Sequence, residues 1–329
     1  VTTRLTACDR WGAVKVRWGI GRDRYLVPPG LYAVGAPGSE SVVLVTANYK
    51  LTFDLLRSTL AGRDAWILVL DTKGINVWCA AGKGTFGTDE LVRRVEAAGL
   101  AQVVTHRRLV LPQLGAPGVA AHLVKRRCGF KVVWGPVMMG DLPAFLDAGL
   151  RVAAGMRTKT FPLRERVALI PMELVGGWKP AAALLLALFL ASGIGAPGGY
   201  LAGLSSSGIT ATTTVLVALA AGAVLVPLLL PWIPGRAFSF KGLQVGAVAA
   251  AAHLLLLRGV PAGLAPGLEL AAWLFLAAGL ASFLAMNFTG ASTYTSLSGV
   301  RREMRVAIPM QAASVLLSIT LLVWARLAA

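Results

Sequence analysis

The chain has 329 residues, of which 56% are apolar and 14% charged, with a mean hydropathy of +0.68. That balance excludes a purely soluble, a disordered or a disulfide-built protein. Charge is divided unevenly: residues 1–180 hold 25 of the 32 Lys and Arg and 13 of the 15 Asp and Glu, so a polar half precedes an oily one.

The formal charge is +17, and residues 1–180 carry +12 of it in short clusters such as Arg107-Arg108 and Lys125-Arg126-Arg127. No aromatic-interleaved basic stripe or recognition motif accompanies them, so nucleic acid is not expected as a partner. Anionic membrane lipid and the retention of Lys and Arg on the cytoplasmic side explain the excess more naturally. Cys8, Cys79 and Cys128 stand 71 and 49 residues apart, form no CxxC pair and imply a reducing compartment. No secretory signal pattern is expected at the start, where residues are polar and basic.

In chain order, the polar half alternates β-rich apolar runs with amphipathic stretches. Ser41–Thr46 reads as a strand, Lys50–Leu60 as a helix and Ala65–Leu70 as a strand. Thr88–Leu100 reads as a helix with Thr88 as N-cap and Asp89 and Glu90 in its first turn, where the dipole favours acids. A strand near Gln102–Leu111, a helix over Gly118–Arg127, a strand at Phe130–Trp134 and a helix near Leu142–Ala148 complete the series. The alternation predicts a parallel sheet covered on both faces, with ligands at the carboxyl ends of the strands. The loops there are 46–49, 71–87, 112–118 and 135–137, and three are rich in Gly, Pro and small residues, which let a backbone approach a large flat or phosphate-bearing ligand.

A basic connector follows over 151–177, where Pro162 and Pro171 argue against one unbroken helix. Beyond it, five stretches meet or approach the roughly 20 apolar residues that a bilayer demands: 178–196, 209–233, 242–257, 268–286 and 306–325. Trp178, Lys179 and Pro180 form an interfacial start to the first, Pro227 and Pro231 kink or end the second, and the third is short. His253 lies in the third, where a neutral imidazole bonded to a neighbouring helix competes with a functional role. Basic residues enrich alternate loops, which predicts a cytoplasmic N-terminal half and a tail outside after Trp324.

Gly82-Lys-Gly-Thr-Phe-Gly87 matches GxGxxG, but the strand ends near Leu70, too early for the first tight turn, and no acid stands about 20 residues on to hold a ribose. More specific is Asn76-Val-Trp-Cys-Ala-Ala-Gly-Lys83. Asn76 is a good N-cap, which puts Cys79 at the third helical position of a short turn closed by Gly82 and Gly84. A thiol there feels the positive end of the helix, and Lys83 lies four residues on along the same face. Physical chemistry alone leaves Cys79 open between a small buried hydrophobe and an axial ligand for a metal already held by another ligand set.

That eight-residue segment resembles the signature of the HgcA family, the membrane corrinoid proteins of microbial mercury methylation. Trp18-Gly-Ile20, Pro29–Gly35, Val45–Lys50, Asp71–Gly74, Gly84–Asp89, Pro112–His122 and the five-span tail also resemble family segments. The resemblance implies a Rossmann-like α/β corrinoid-binding domain, similar to that of corrinoid iron–sulfur proteins, followed by an all-α transmembrane domain of five helices. The division it suggests is 1–155 for the corrinoid domain, 156–177 for a basic linker and 178–329 for the transmembrane domain. By position, Cys79 is implied as the lower axial ligand of the cobalt and as the catalytic residue. The corrinoid contacts implied are Thr46, Asn48, Asn76, Val77, Trp78, Cys79, Ala80, Ala81, Gly82, Lys83, Gly84, Thr85, Gln113, Gly115, Pro117 and Gly118.

The function implied is corrinoid-dependent transfer of a methyl group from methyl-cobalt(III) to Hg(II), giving methylmercury. A methyl donor of the methyltetrahydrofolate pathway and a small ferredoxin-type iron–sulfur partner are implied too. Three isolated cysteines cannot hold a four-cysteine cluster, in keeping with a separate partner. Two other readings share the residues: a membrane corrinoid methyl carrier acting on another acceptor, and a non-enzymatic corrinoid-binding or transport protein. Transport would require more polar residues in the spans than His253 and scattered Ser and Thr. The polar tract Asn287–Ser296 also resembles the family, with an ordinary interfacial loop as its simpler reading.

Overall fold

A computed structural model describes residues 1–196, 198–259, 264–291 and 297–328. The chain divides into two compact units, Val1–Thr160 and Phe161–Ala329.

The first unit is an α/β domain around a five-stranded mixed sheet. Its elements are α1 (Ala7–Arg17), β1 (Gly30–Val34), β2 (Val43–Ala47), α2 (Lys50–Thr59), β3 (Ala65–Leu70), α3 (Val77–Gly82), α4 (Thr88–Ala97), α5 (Leu100–Val103), β4 (Arg108–Leu111), α6 (Ala121–Cys128), β5 (Lys131–Trp134) and α7 (Leu142–Asp147). The strand order is β1-β3-β2-β4-β5. Strands β3, β2, β4 and β5 are parallel, and β1 runs antiparallel to β3, with Tyr32 opposite Ile67. Every residue of β2 is buried, as a strand covered on both faces requires. One face carries Val43, Val45, Leu68, Leu70, Leu109 and Leu111 beneath residues of α3, α4 and α6. The other carries Leu44, Ile67, Val69 and Val110 beneath Phe53, Leu56 and Phe145. From β2 the chain passes to β3 on one side and later to β4 on the other, so the topological switch lies between β2 and β4.

Several sequence expectations are corrected. The sheet is mixed, because Gly30–Val34, between prolines and Gly35, adds an antiparallel edge strand. The strand expected over Gln102–Leu111 is split: Leu100–Val103 is helical and only Arg108–Leu111 pairs. Thr88 is not an N-cap; Gly87 holds that position, and the Thr88 hydroxyl accepts the N–H of Ala120 at 2.8 Å. That bond joins positions 32 apart, beyond the reach of local periodicity. Helix α1 was also unforeseen; Thr6 and Asp9 close it with a reciprocal capping box.

In the second unit five helices are long and apolar enough to cross a membrane: Leu163–Ala191, Tyr200–Leu229, Phe238–Leu257, Leu264–Asn287 and Ser298–Leu327. The first begins at Leu163 and runs unbroken through Pro171 and Pro180, so most of the expected connector is helix. Pro162 starts it, and the third helix is of full length. The second contains two π-type turns, Leu204–Gly208 and Ala221–Leu225. Glycines let these helices approach closely: a Cβ on Gly242 would stand 2.5 Å from the carbonyl oxygen of Ala281. His253 Nε2 lies 2.9 Å from Thr213 Oγ1, the interhelical bond of the simpler reading. Of the polar tract Asn287–Ser296, residues 292–296 lie outside the described residues.

Candidate functional site

The carboxyl ends of β2, β3 and β4 carry the candidate site, and β2 begins it. Thr46 is 2% exposed, and its hydroxyl has no hydrogen-bond partner among the described residues. It lines a cavity of about 60 Å³ at the switch point, with Val77, Pro112, Gly135 and Met139. A buried hydroxyl without a partner costs free energy unless something fills the role.

Two residues on, Asn48 braces the neighbouring loop. Its Oδ1 accepts the N–H groups of Thr72 at 3.1 Å and Gly74 at 2.9 Å, and its amide donates to Asp71 Oδ1 at 3.4 Å. These bonds engage both ends of the amide of Asn48, a residue the sequence also offers as a cofactor contact. The loop needs the support, because Lys73 and Gly74 both adopt positive φ, 58° and 71°. From the other side Glu90 accepts the N–H of Asp71 at 2.8 Å while pairing with Arg94 at 2.9 Å. The Lys73 ammonium, bonded to Asp71 at 2.6 Å, holds the Asp71 carboxyl below the usual range against the opposing effect of burial.

The braced loop delivers Asn76 to the start of α3. Its Oδ1 accepts the N–H of Cys79 at 2.9 Å, a side-chain N-cap. Val77, Ala80 and Ala81, at helical spacing, are buried on the core beside β2 and β3, which leaves Trp78 and Cys79 half-buried and Gly82 and Lys83 exposed. The N–H groups of Thr85 and Phe86 both reach the carbonyl of Ala80, at 3.0 and 3.1 Å, and turn the chain down so that Phe86 is fully buried. Gly84 makes that turn at φ +79°. Cysteine 79 is therefore neither buried as a core hydrophobe nor hydrogen-bonded through its sulfur among the described residues. Cys128 instead donates to its own helix, to the carbonyl of Val124 at 3.2 Å.

Residues 113–118 form a 3₁₀ turn beside α3. Here the expected role of the glycines divides. A Cβ on Gly118 would stand 2.1 Å from the carbonyl oxygen of Phe86 and 3.0 Å from Ala81 Cα, and one on Gly115 would stand 2.6 Å from the Phe86 ring. Both are small to let protein meet protein. Gly82 and Gly84 have nothing within 4 Å of such a Cβ, so theirs is the open side. Pro117 is exposed, Gln113 accepts from Arg157 at 3.0 Å, and the Thr85 hydroxyl turns to the Ala80 carbonyl at 3.4 Å. Local sequence pattern gives no signal for Met138 and Met139, which line the cavity, or for the brace from Glu90, a first-turn acid of α4.

The site thus belongs to an α/β domain with a capped cysteine turn at the carboxyl edge of its sheet. Residues 22–146 match the family of the CO dehydrogenase/acetyl-CoA synthase delta subunit. The chain is 33% identical over 123 residues to the acetyl-CoA decarbonylase/synthase complex subunit gamma of Archaeoglobus fulgidus, covering 37% of this chain and 26% of the relative. It is 34% identical over 128 residues to the subunit of the same name from Methanopyrus kandleri, covering 38% and 27%, and 35% identical over 97 residues to that of Methanocaldococcus jannaschii, covering 29% and 20%. The chain spans about a quarter of the length of the first two of these curated relatives. The matched segment carries β1 to β5 and α3.

Proposed function

We propose that the chain is a membrane-anchored, corrinoid-dependent methyltransferase that delivers a methyl group to Hg(II), with Cys79 as the protein ligand to cobalt. The observation that carries this reading is the Asn76-capped turn: one face of α3 is fastened to the sheet, and the other presents Cys79 beside the open positions of Gly82 and Gly84.

Residues at this edge fit such a cofactor. Thr46 offers a buried hydroxyl in need of a partner, and Gly82 and Gly84 leave open space at the outer side of the turn. The cavity beside Thr46 is far smaller than a corrinoid, so the open edge, rather than the cavity, is the surface on which the ring would rest. A corrinoid, when bound, supplies a cobalt that takes up and releases a methyl group. Cys79 would give that metal a soft, polarisable sulfur donor, whose electron density would favour departure of the methyl group with its bonding electron pair toward a soft, electron-poor acceptor such as Hg(II). Asn76 and the Asn48–Gly74 brace hold the sulfur in place. A methyl donor of the methyltetrahydrofolate pathway and a small ferredoxin-type iron–sulfur protein as reductant complete the proposal. The five candidate spans would anchor the domain, with residues 1–155 in the cytoplasm.

The test is a visible spectrum of the purified full chain after corrinoid reconstitution, followed by methylmercury measurement with methylated cofactor and Hg(II). Corrinoid bands with methylmercury are the expected result; no retained corrinoid overturns the reading. A second reading, a methyl carrier for another acceptor, draws on the relatives being subunits of an acetyl-CoA decarbonylase/synthase complex. Retained corrinoid without methylmercury formation would favour it.

A further inference from the structure

Helix α1 is fastened to the domain by one face only. Asp9 pairs with Lys50 at 2.5 Å and with Arg57 at 2.8 Å, Val16 is buried, and Gly12 lies so close to Tyr25 that a Cβ would stand 2.7 Å from its hydroxyl. The opposite face has no partner among the described residues. Trp11, Val14 and Trp18 follow one another at helical spacing, 62%, 41% and 45% exposed, and Ile20 just beyond is 62% exposed. A shallow groove of about 530 Å³ lies beside Trp11 and Val14, lined also by Arg4 and Arg10.

The charge around this stripe is predominantly positive. Residues 1–24 contain six Lys and Arg (Arg4, Arg10, Lys15, Arg17, Arg22 and Arg24) against two acids, and Asp9 is consumed by its pairs with Lys50 and Arg57. Arg4, Arg10 and Lys15 are exposed. Indole rings set among cations suit the headgroup layer of an anionic bilayer, where the ring lies at the acyl boundary and the cations meet phosphate. A bilayer is also at hand. Residues 158–162, at most about 18 Å of extended chain, separate the last short turn of the domain from the helix of the first candidate span.

We propose that the outward face of α1 docks on an anionic lipid surface, with Trp11 and Trp18 as its apolar anchors and Arg4, Arg10 and Lys15 as its charge contacts. The proposal rests on the candidate spans placing the chain in a membrane and is independent of the corrinoid reading. The residues just past α1 run beside the candidate site: Leu26 bridges Tyr49, and Leu26 and Asp23 lie against Gly74. Docking would therefore bring one rim of that site toward the lipid surface.

The experiment uses the full chain in nanodiscs of phosphatidylcholine alone or with phosphatidylglycerol, each with brominated acyl chains that quench nearby indoles. The contribution of Trp11 and Trp18 is the difference in quenching between the wild type and the Trp11→Phe/Trp18→Phe variant. We expect it to be at least twofold larger with phosphatidylglycerol and to fall back in high salt, which screens charge over a shorter distance. The Arg4→Glu/Arg10→Glu/Lys15→Glu variant, which keeps every tryptophan, should lose the same increment and serves as the reading if the tryptophan variant fails to assemble. Equal quenching in both lipids, or no loss on charge reversal, overturns the proposal. Shielding of the two tryptophans only after adding a ferredoxin-type protein would assign the face to a protein partner and overturn it as well.

Discussion

Asn48, just past the end of β2, accepts the N–H of Gly74 at 2.9 Å and the N–H of Thr72 at 3.1 Å, and so ties the loop before Asn76 to the central strand. Asn48→Ala leaves both N–H groups without that acceptor, one of them on a fully buried residue. The expected cost is about 1–3 kcal/mol, read as a lower unfolding midpoint of the solubilised chain together with faster loss of corrinoid on gel filtration. An unchanged midpoint would mean that the loop holds its shape without this brace.

Replacing Cys79 with Ala should abolish methyl transfer and shift the cobalt absorption bands, while the protein remains folded and membrane-inserted. The side chain is small and half-buried, so little packing is lost with it. Cys128→Ala is the control, since the Cys128 thiol donates within its own helix, to the Val124 carbonyl. Full activity in Cys79→Ala would remove the ligand role.

Asn76→Ala should loosen α3 by about 0.5–2 kcal/mol, the usual loss on removing an N-cap, and misplace Cys79 without deleting it. The Lys83 side chain is exposed at the far end of the same short helix, and its backbone N–H already returns to the Cys79 carbonyl at 3.1 Å. Lys83→Ala should therefore act least. Spectra and turnover of the three variants should give the order of damage Cys79, Asn76, Lys83; a Lys83 variant as impaired as Cys79→Ala with a normal spectrum would point to direct contact of Lys83 with substrate or partner.

The glycines beside α3 separate two roles by a stability measurement. Gly118→Ala drives a Cβ into the backbone of Phe86 and Ala81 and should destabilise the domain outright. Gly82→Ala has open space and ends a helix, so stability should hold or rise by up to about 1 kcal/mol, while corrinoid affinity falls if the ring rests there. Undiminished affinity in Gly82→Ala would move the cofactor elsewhere along the edge.

Acid should release α1. Burial acts to raise the Asp9 carboxyl, but hydrogen bonds from Lys50, Thr6 and Arg57 outweigh it and hold the group far below its ordinary value of 3.8. The unfolded chain then binds the proton first, so the stabilisation is complete above the ordinary value and is lost as pH falls from there toward the depressed one. Unfolding midpoints followed from about pH 5 to about pH 2 should decline less steeply for Asp9→Asn than for the wild type. Parallel slopes would show that Asp9 does not couple to folding.

Periodicity and length determined much of this protein from the sequence. The apolar runs at 43–47, 65–70 and 131–134 are strands because alternate residues must serve two buried faces, and five long apolar stretches form the candidate spans because little else satisfies a backbone in hydrocarbon. Asn76 and Cys79 were legible as cap and third helical residue, since capping is a contact across three positions. Everything that depends on long-range pairing was decided by the tertiary structure. Gly30–Val34 becomes a strand because β3 offers an unpaired edge, and Pro171 and Pro180 are accommodated within a helix that continues past them. Asn48 also braces the site, because the loop 24 to 26 residues later presents two N–H groups to it. The same holds for the glycines: composition makes Gly82 and Gly118 alike, and only the backbone packed against Gly118 shows that one faces protein and the other open space.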